Sequence, residues 1–258
     1  MMVVWKVALI KEVTIKQWGI NGMKLFKRLL KITGVILSII FIGLLVAYFM
    51  YNQPLPDSNN PEGADKLAEQ MLTTINNDIY IKTRFLEWSF AGGKHTYKWD
   101  KENGRVLVSW DDYAVNLNLN NPSKSTATNK GITLLSNHLD DSIKKAQDYF
   151  NNDSFWLLAP FKVFDKGTNR SIVLLDDGSE GLMVTYSSGG TTPGDSYLWK
   201  LNSNGFPESF QMWVKIIPIG GLRATWDDWK VMENGLFLPA SHKIGSMTLD
   251  MGNVKAYN

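Results

Sequence analysis

The chain is expected to fold as an α+β domain, predominantly antiparallel β. A strongly curved, incomplete β-barrel with a helical lid is preceded by one transmembrane helix. Three observations lead there. Residues 32–51 (ITGVILSIIFIGLLVAYFMY) form a run without a single charge, segments of alternating apolar and polar residues follow it, and two stretches of helical periodicity interrupt them. An antiparallel sheet of about ten strands has to curl, split or close. Two apolar-faced helices have nowhere to bury those faces except on that sheet.

The uncharged run comes first. Twenty residues of helix rise about 30 Å, the hydrocarbon thickness of a bilayer. Residues 1–31 carry Lys6, Lys11, Lys16, Lys24, Lys27, Arg28 and Lys31 against Glu12 alone, whereas Asp57, Glu62 and Asp65 follow the run. The positive-inside bias then keeps the N-terminus cytoplasmic and exports the rest. The expected location is an inner membrane crossed once, with the C-terminal domain in the periplasm or outside the cell. A cleaved export signal is the rival reading; its apolar part is normally shorter, and Val46-Ala47-Tyr48 is a poor cleavage site. Met23 opens a compact MKLFKRLLK segment with the form of an export-signal start, so residues 1–22 also read as an upstream extension of the frame.

Charge separates the two parts. The whole chain holds 27 cations and 25 acids; without residues 1–31 the balance is 20 against 24. The basic character belongs to the N-terminal segment, and the mildly acidic remainder is a poor surface for nucleic acid, which needs clustered cations. The absence of cysteine excludes disulfides, thiolate metal sites and cysteine nucleophiles. A domain of this size holds together by its core alone.

Residues 52–61 (NQPLPDSNNP) read as a linker, and a single domain follows over 62–258. Asn60 before Pro61 has the form of an N-cap with proline in the first turn, and Ala64, Leu67, Ala68, Met71, Leu72 and Ile75 recur at helical spacing. The period then changes to two. Leu86-Trp88-Phe90, His95-Tyr97-Trp99, Val106-Val108-Trp110 and Tyr113-Val115-Leu117-Leu119 alternate, with turns at Gly92-Gly93 and Asn103-Gly104. A central helix is expected over about Ser136 to Phe150. Strands resume at 171–175, 182–187, 197–201, 210–216, 222–231 and 236–249, divided by Asp177-Gly178, Asn204-Gly205 and Asn234-Gly235. Phe210, Met212, Val214 and Ile216 make one face wholly apolar, with Gln211 and Lys215 on the other; Trp213 breaks the alternation.

Catalytic patterns are weak. His95, His138 and His242 lie in separate elements without metal-ligand spacing and read as surface or cross-strand residues. The pairs Asp111-Asp112, Asp140-Asp141, Asp176-Asp177 and Asp227-Asp228 mostly adjoin turns or helix starts, where aspartate caps backbone. No G-x-S-x-G elbow is present. Residues 189–197 (GGTTPGDSY) lack the ending of a phosphate loop and read as a long hairpin loop; the functional alternative is a barrel mouth where Asp195 and Ser196 bond a ligand headgroup. No enzyme activity, cofactor or metal is expected. Eight of the ten tryptophans follow the apolar run and belong mostly to the core, with Trp156 placed at a cavity wall.

The order of elements and three phrases resemble the LolA/LolB-like lipoprotein-carrier superfamily. The phrases are Asn151-Asn152-Asp153-Ser154-Phe155-Trp156 with Pro160, the stretch from Leu198 to Pro207 (LWKLNSNGFP), and that from Trp226 to Pro239 (WDDWKVMENGLFLP). The resemblance spans most of Ala64 to Leu249. It implies an apolar interior that takes an acyl chain, of a lipid or a lipoprotein, or another lipophilic ligand. Residues expected to line it are Leu67, Met71 and Ile75 from the first helix, Trp156, Leu157 and Phe161 from the end of the central helix, and Met212 and Val214. Two departures matter. No cysteine is available for lipid anchoring, and no arginine here matches the one that bonds the lid in the soluble carrier. A tethered domain suits acquiring, holding or sensing a ligand at the membrane better than long-range carriage. The alternative is a structural or sensory ectodomain with a solid core that binds an envelope protein partner.

Overall fold

In the computed structural model, residues 2–188 and 193–258 are described, with side chains from residue 26 onward. The chain divides into two units, residues 1–52 and 53–258. The first is one helix, α1, Met2–Tyr51, whose Phe26–Tyr51 portion is long and apolar enough to cross a membrane.

The second unit opens with α2, Pro61–Thr74, and a short α3, Asn77–Lys82. As the sequence predicts, the Asn60 side chain caps α2, accepting from the Gly63 N–H at 3.0 Å. A meander follows: β1 Phe85–Phe90, β2 His95–Asp100, β3 Arg105–Trp110, β4 Tyr113–Asn118, β5 Thr126–Asn129 and β6 Ile132–Thr133. The central helix α4, Ser136–Leu158, leads into a tight 3-10 turn at Ala159–Lys162. The return meander is β7 Thr168–Leu174, β8 Glu180–Tyr186, β9 Asp195–Leu201, β10 Pro207–Trp213, β11 Leu222–Thr225, β12 Asp227–Val231, β13 Phe237–Ile244, β14 Met247–Asp250 and β15 Lys255–Tyr257.

All strand pairs among the described residues are antiparallel, in two sheets. One has the order β15-β1-β2-β3-β4-β5-β6; the other runs β12-β13-β11-β10-β9-β8-β7, with β14 on β13. Neither closes on itself. The fold is therefore an incomplete barrel with covering helices, in the class the sequence predicts. The six expected turn glycines, Gly92, Gly93, Gly104, Gly178, Gly205 and Gly235, all take positive φ, which only glycine adopts freely.

Several boundaries differ from expectation. Helix α4 runs past the expected end at Phe150, through Asn151-Asn152-Asp153 to Leu158, where Asp153 finds partners on a strand. The stretch 222–231 divides at Trp226, whose N–H bonds the Glu208 carbonyl at 2.8 Å, and 236–249 divides at Gly245. Strand β10 stops at Trp213, so Ile216 leaves the apolar face and is 71% exposed. The stretch 52–61 is laid along the second sheet: Gln53 bonds to Gly220, and Asn59 exchanges two bonds with Ile172.

Backbone hydrogen bonds link the two sheets at Met251. Met251, fully buried, donates its N–H to Ala240 of β13 at 2.9 Å and accepts from Ser89 of β1 at 3.0 Å. Gly252 comes next with φ +66°, and a Cβ there would overlap the Ser89 hydroxyl and lie 3.2 Å from the Ser89 Cβ. Replacing Gly178, φ +79° with open space around it, meets only the backbone penalty. Gly178→Ala should therefore cost about 1–2 kcal/mol, and Gly252→Ala visibly more in urea unfolding. Equal losses would show that the seam tolerates the extra atom.

Candidate functional site

The concave faces of both sheets are apolar, and the helices cover them. Helix α2 lies on β7 and β8 through Ala64, Ala68 and Met71, whose small leading residues let the helix axis approach the strands closely. Helix α4 packs over β3, β4, β5 and β13. Arg170 of β7 fixes α2: its Nε donates to Asp65 Oδ1 at 2.5 Å while the guanidinium lies 4.1 Å from the Phe164 ring centre. This strand-to-helix arginine was not recognisable in the sequence, since only folding brings residues 65 and 170 together.

Asp153 fixes α4. Only 1% exposed, its Oδ2 accepts from the Tyr97 hydroxyl and from His95 Nδ1 at 2.6 Å, both on β2. Asn152 donates to its other oxygen at 2.8 Å, and the Tyr149 ring stacks on His95 with centroids 3.8 Å apart. Burial, then the adjacent carboxylate, pushes the Tyr97 hydroxyl far above its ordinary range, so it stays a donor. His95, expected at the surface or across strands, instead bonds from β2 to helix α4, with a partner that sequence spacing concealed.

The expected lining residues divide between two adjoining apolar clusters. Ile75, Leu157 and Phe161 belong to the cluster under the first sheet, where Phe161 stacks on Tyr80 at 4.4 Å. Met71, Met212 and Val214 belong to the cluster under the second, with Leu67 packed against it. Trp156 is half-buried and touches both, as do Leu72 and Trp229. The interior is therefore one continuous apolar core, joined through Trp156, Leu72 and Trp229. The cavities described lie elsewhere at the surface. One is lined by Asp100, Asn103, Arg105, Asn118 and Lys124; the other, about 250 Å³, by residues that include Leu198, Lys200, Ser209 and Gln211 on the outer side of β9 and β10.

Under the second sheet an aromatic group surrounds a histidine. Trp199 and Trp226 lie 5.0 Å apart, Trp226 is 4.6 Å from His242, and Trp156 is 5.3 Å from it on the α4 side. His242 is completely buried, an environment not expected of it. Its Nδ1 bonds the Thr225 carbonyl at 2.9 Å, and Nε2 has no hydrogen bond of normal geometry. The indole N–H groups of Trp199 and Trp226 are buried without an acceptor, as are those of Trp88, Trp99 and Trp110. Each such donor costs about 1–3 kcal/mol of desolvation unless something accepts from it.

Of the remaining residues singled out from sequence, His138 is exposed on α4, and the members of the aspartate pairs are all exposed except the half-buried Asp227. Among the described residues no group of three or more His, Asp or Glu side chains could hold a metal. Within residues 189–197, positions 189–192 lie outside the described residues. Asp195 is buried and accepts from the Lys215 N–H at 3.0 Å, while Ser196 and Thr185 share a hydrogen bond of 2.8 Å.

No protein-family model and no curated protein matches the chain. Among solved structures, the crystal structure of a DUF1329 family protein from Desulfovibrio piger ATCC 29098 aligns over 76% of this chain and 93% of that one. The TM-score is 0.40 and the identity 11%. The fold assignment rests on strand order and helix placement, not on that likeness.

Burial lowers the His242 pKa to about 4, against the opposing influence of the Thr225 and Trp156 carbonyls and of Asp227. Above the ordinary value of 6.5 the ring is neutral in both folded and unfolded chains. Between 6.5 and 4 only the unfolded chain takes up the proton, so stability falls with pH, by about 3 kcal/mol in total. Urea titrations of the unit 53–258 should show that loss over pH 6.5 to 4, and His242→Phe should flatten it. An unchanged profile in the variant would assign the acid sensitivity to other groups.

Proposed function

We propose that the protein is a membrane-anchored extracytoplasmic binding domain for a lipid, a lipoprotein acyl chain or another lipophilic ligand. Helix α1 acts as a retained single-pass anchor in the inner membrane, and the β domain works outside the cytoplasm. The observation that carries the ligand reading is the continuous apolar core joined through Trp156, Leu72 and Trp229, with the unpartnered indole donors of Trp199 and Trp226 inside it. A hydrocarbon chain matches the apolar walls, and an ester or amide carbonyl at its head supplies the acceptor that the indoles lack. The resemblance to lipoprotein carriers in Trp226 to Pro239 points the same way.

Six of the eight expected lining residues are buried against protein atoms. Uptake on this reading therefore moves a covering helix and replaces helix–sheet contact by ligand–sheet contact. Helix α2 is the element suited to move, because it meets the strands through two alanines and one methionine and is tied by a partly exposed ion pair. No chemistry is assigned to the site, and a non-enzymatic role is proposed.

The test uses residues 53–258 purified without detergent. Native mass spectrometry should show co-purified lipid, and the delipidated unit should take up a fluorescent fatty acid. Trp199→Phe together with Trp226→Phe, which removes the two donors while keeping aromatic bulk, should weaken uptake by about tenfold, the equivalent of one or two hydrogen bonds. Absence of bound lipid together with absence of uptake would leave the solid-core ectodomain, which needs a partner protein, as the better reading.

A further inference from the structure

Gln53 is held unusually firmly for a residue on a stretch that reads as a linker. Its N–H donates to the Gly220 carbonyl at 3.0 Å, its carbonyl accepts from the Trp213 indole at 2.9 Å, and its side-chain oxygen accepts from Gln211 Nε2 at 2.8 Å. The β10–β11 hairpin is shaped to admit it. A Cβ on Gly220 would lie 2.6 Å from the Gln53 carbonyl oxygen, and one on Gly221, φ +76°, would lie 2.7 Å from Gln53 Cβ. Trp213, which broke the alternation of its strand, is explained by this contact: it faces outward because it bonds Gln53.

Chain length alone limits how far this hairpin can stand from the membrane. Gln53 is two residues beyond Tyr51, where the apolar portion of α1 ends, so the two are at most about 7 Å apart. Tyr48, Phe49 and Tyr51 give that end the aromatic character of a membrane–water interface. Where α1 spans a bilayer, a hairpin pinned to Gln53 is tied within two residues of the end of the span. Its loop, residues 214–221, reads VKIIPIGG. Ile216 is 71% exposed, Pro218 is exposed, and Ile217 and Ile219 are half-buried, with exposed Lys215 and Arg223 at the two sides and Leu55 exposed just beyond Gln53. Isolated exposed apolar residues are ordinary. A run of them between cations, tied next to a membrane-spanning segment, has the composition of an interfacial anchor.

We propose that this hairpin seats the domain on the bilayer that α1 crosses, with Ile216, Pro218 and Ile219 entering the headgroup–acyl boundary and Lys215 and Arg223 meeting lipid phosphates. The proposal rests on the anchor reading of α1 and not on lipid uptake by the interior. It makes the domain a fixture of the membrane surface, held at two points.

Because the chain has no cysteine, Ile216→Cys and, as a control on the outermost strand of the other sheet, Ile132→Cys can each carry one NBD fluorophore. The full chain is reconstituted in vesicles of phosphatidylethanolamine and phosphatidylglycerol, with and without nitroxide-labelled lipid, and floated on a density gradient. The chain should float, and nitroxide should quench the label at 216 at least about threefold more than that at 132, as expected for insertion to the acyl boundary. Near-UV circular dichroism matching the unlabelled chain confirms that both variants are folded. Flotation with equal quenching at the two positions would overturn the seating while leaving the anchor intact. Failure to float would overturn the anchor and the seating with it.

Discussion

Met251 joins the two sheets, and the concavity depends on that join. Its N–H reaches one sheet and its carbonyl the other, so a single buried residue holds β13 and β1 at a fixed separation. With the sheets joined there and neither closed, the concave faces present more apolar surface than they can cover by themselves. Helices α2 and α4 complete the cover. Their attachments differ in kind: α4 is fixed by a buried carboxylate shared between Tyr97 and His95, α2 by alanine contact and a partly exposed arginine pair. Buried, multiply bonded carboxylates are costly to release, whereas partly exposed ion pairs contribute little. The two attachments therefore differ in the exposure of their ion pairs, that of α2 being the more open to solvent.

Much of this was legible in the chain. The hairpins announce themselves through Asn103-Gly104, Asn204-Gly205 and Asn234-Gly235, because glycine takes the positive φ of each turn without a steric penalty. The strands of both meanders follow from period-two burial. What escaped were elements whose stability is tertiary. Strands β5, β6 and β15 are short, mostly polar and exist by pairing with β4, β5 and β1 respectively. The last two turns of α4 lie past its expected end at Phe150, since Asn151-Asn152-Asp153 favours turns until Asp153 meets β2.

The candidate site was legible as apolar residues and illegible as a cavity or a core, because burial selects the same side chains for both. The nominated residues from Leu67 to Val214 do lie inside the domain, but shared between two clusters instead of along one wall. What sequence could not indicate were the polar atoms among them. The buried His242 and the unpartnered indoles of Trp199 and Trp226 emerge only when strands distant in sequence bring them within about one ring diameter of each other.

The most direct measurement is quenching of tryptophan fluorescence by fatty acids brominated at successive carbons, using residues 53–258, which contain eight tryptophans and no cysteine. Bromine quenches only near contact, so the profile reports where the chain lies. If the interior is an acyl-chain site, quenching saturates with ligand and varies with bromine position, and Trp156→Phe diminishes it. Quenching that is absent, or linear in ligand and independent of bromine position, would contradict a lipid-binding interior.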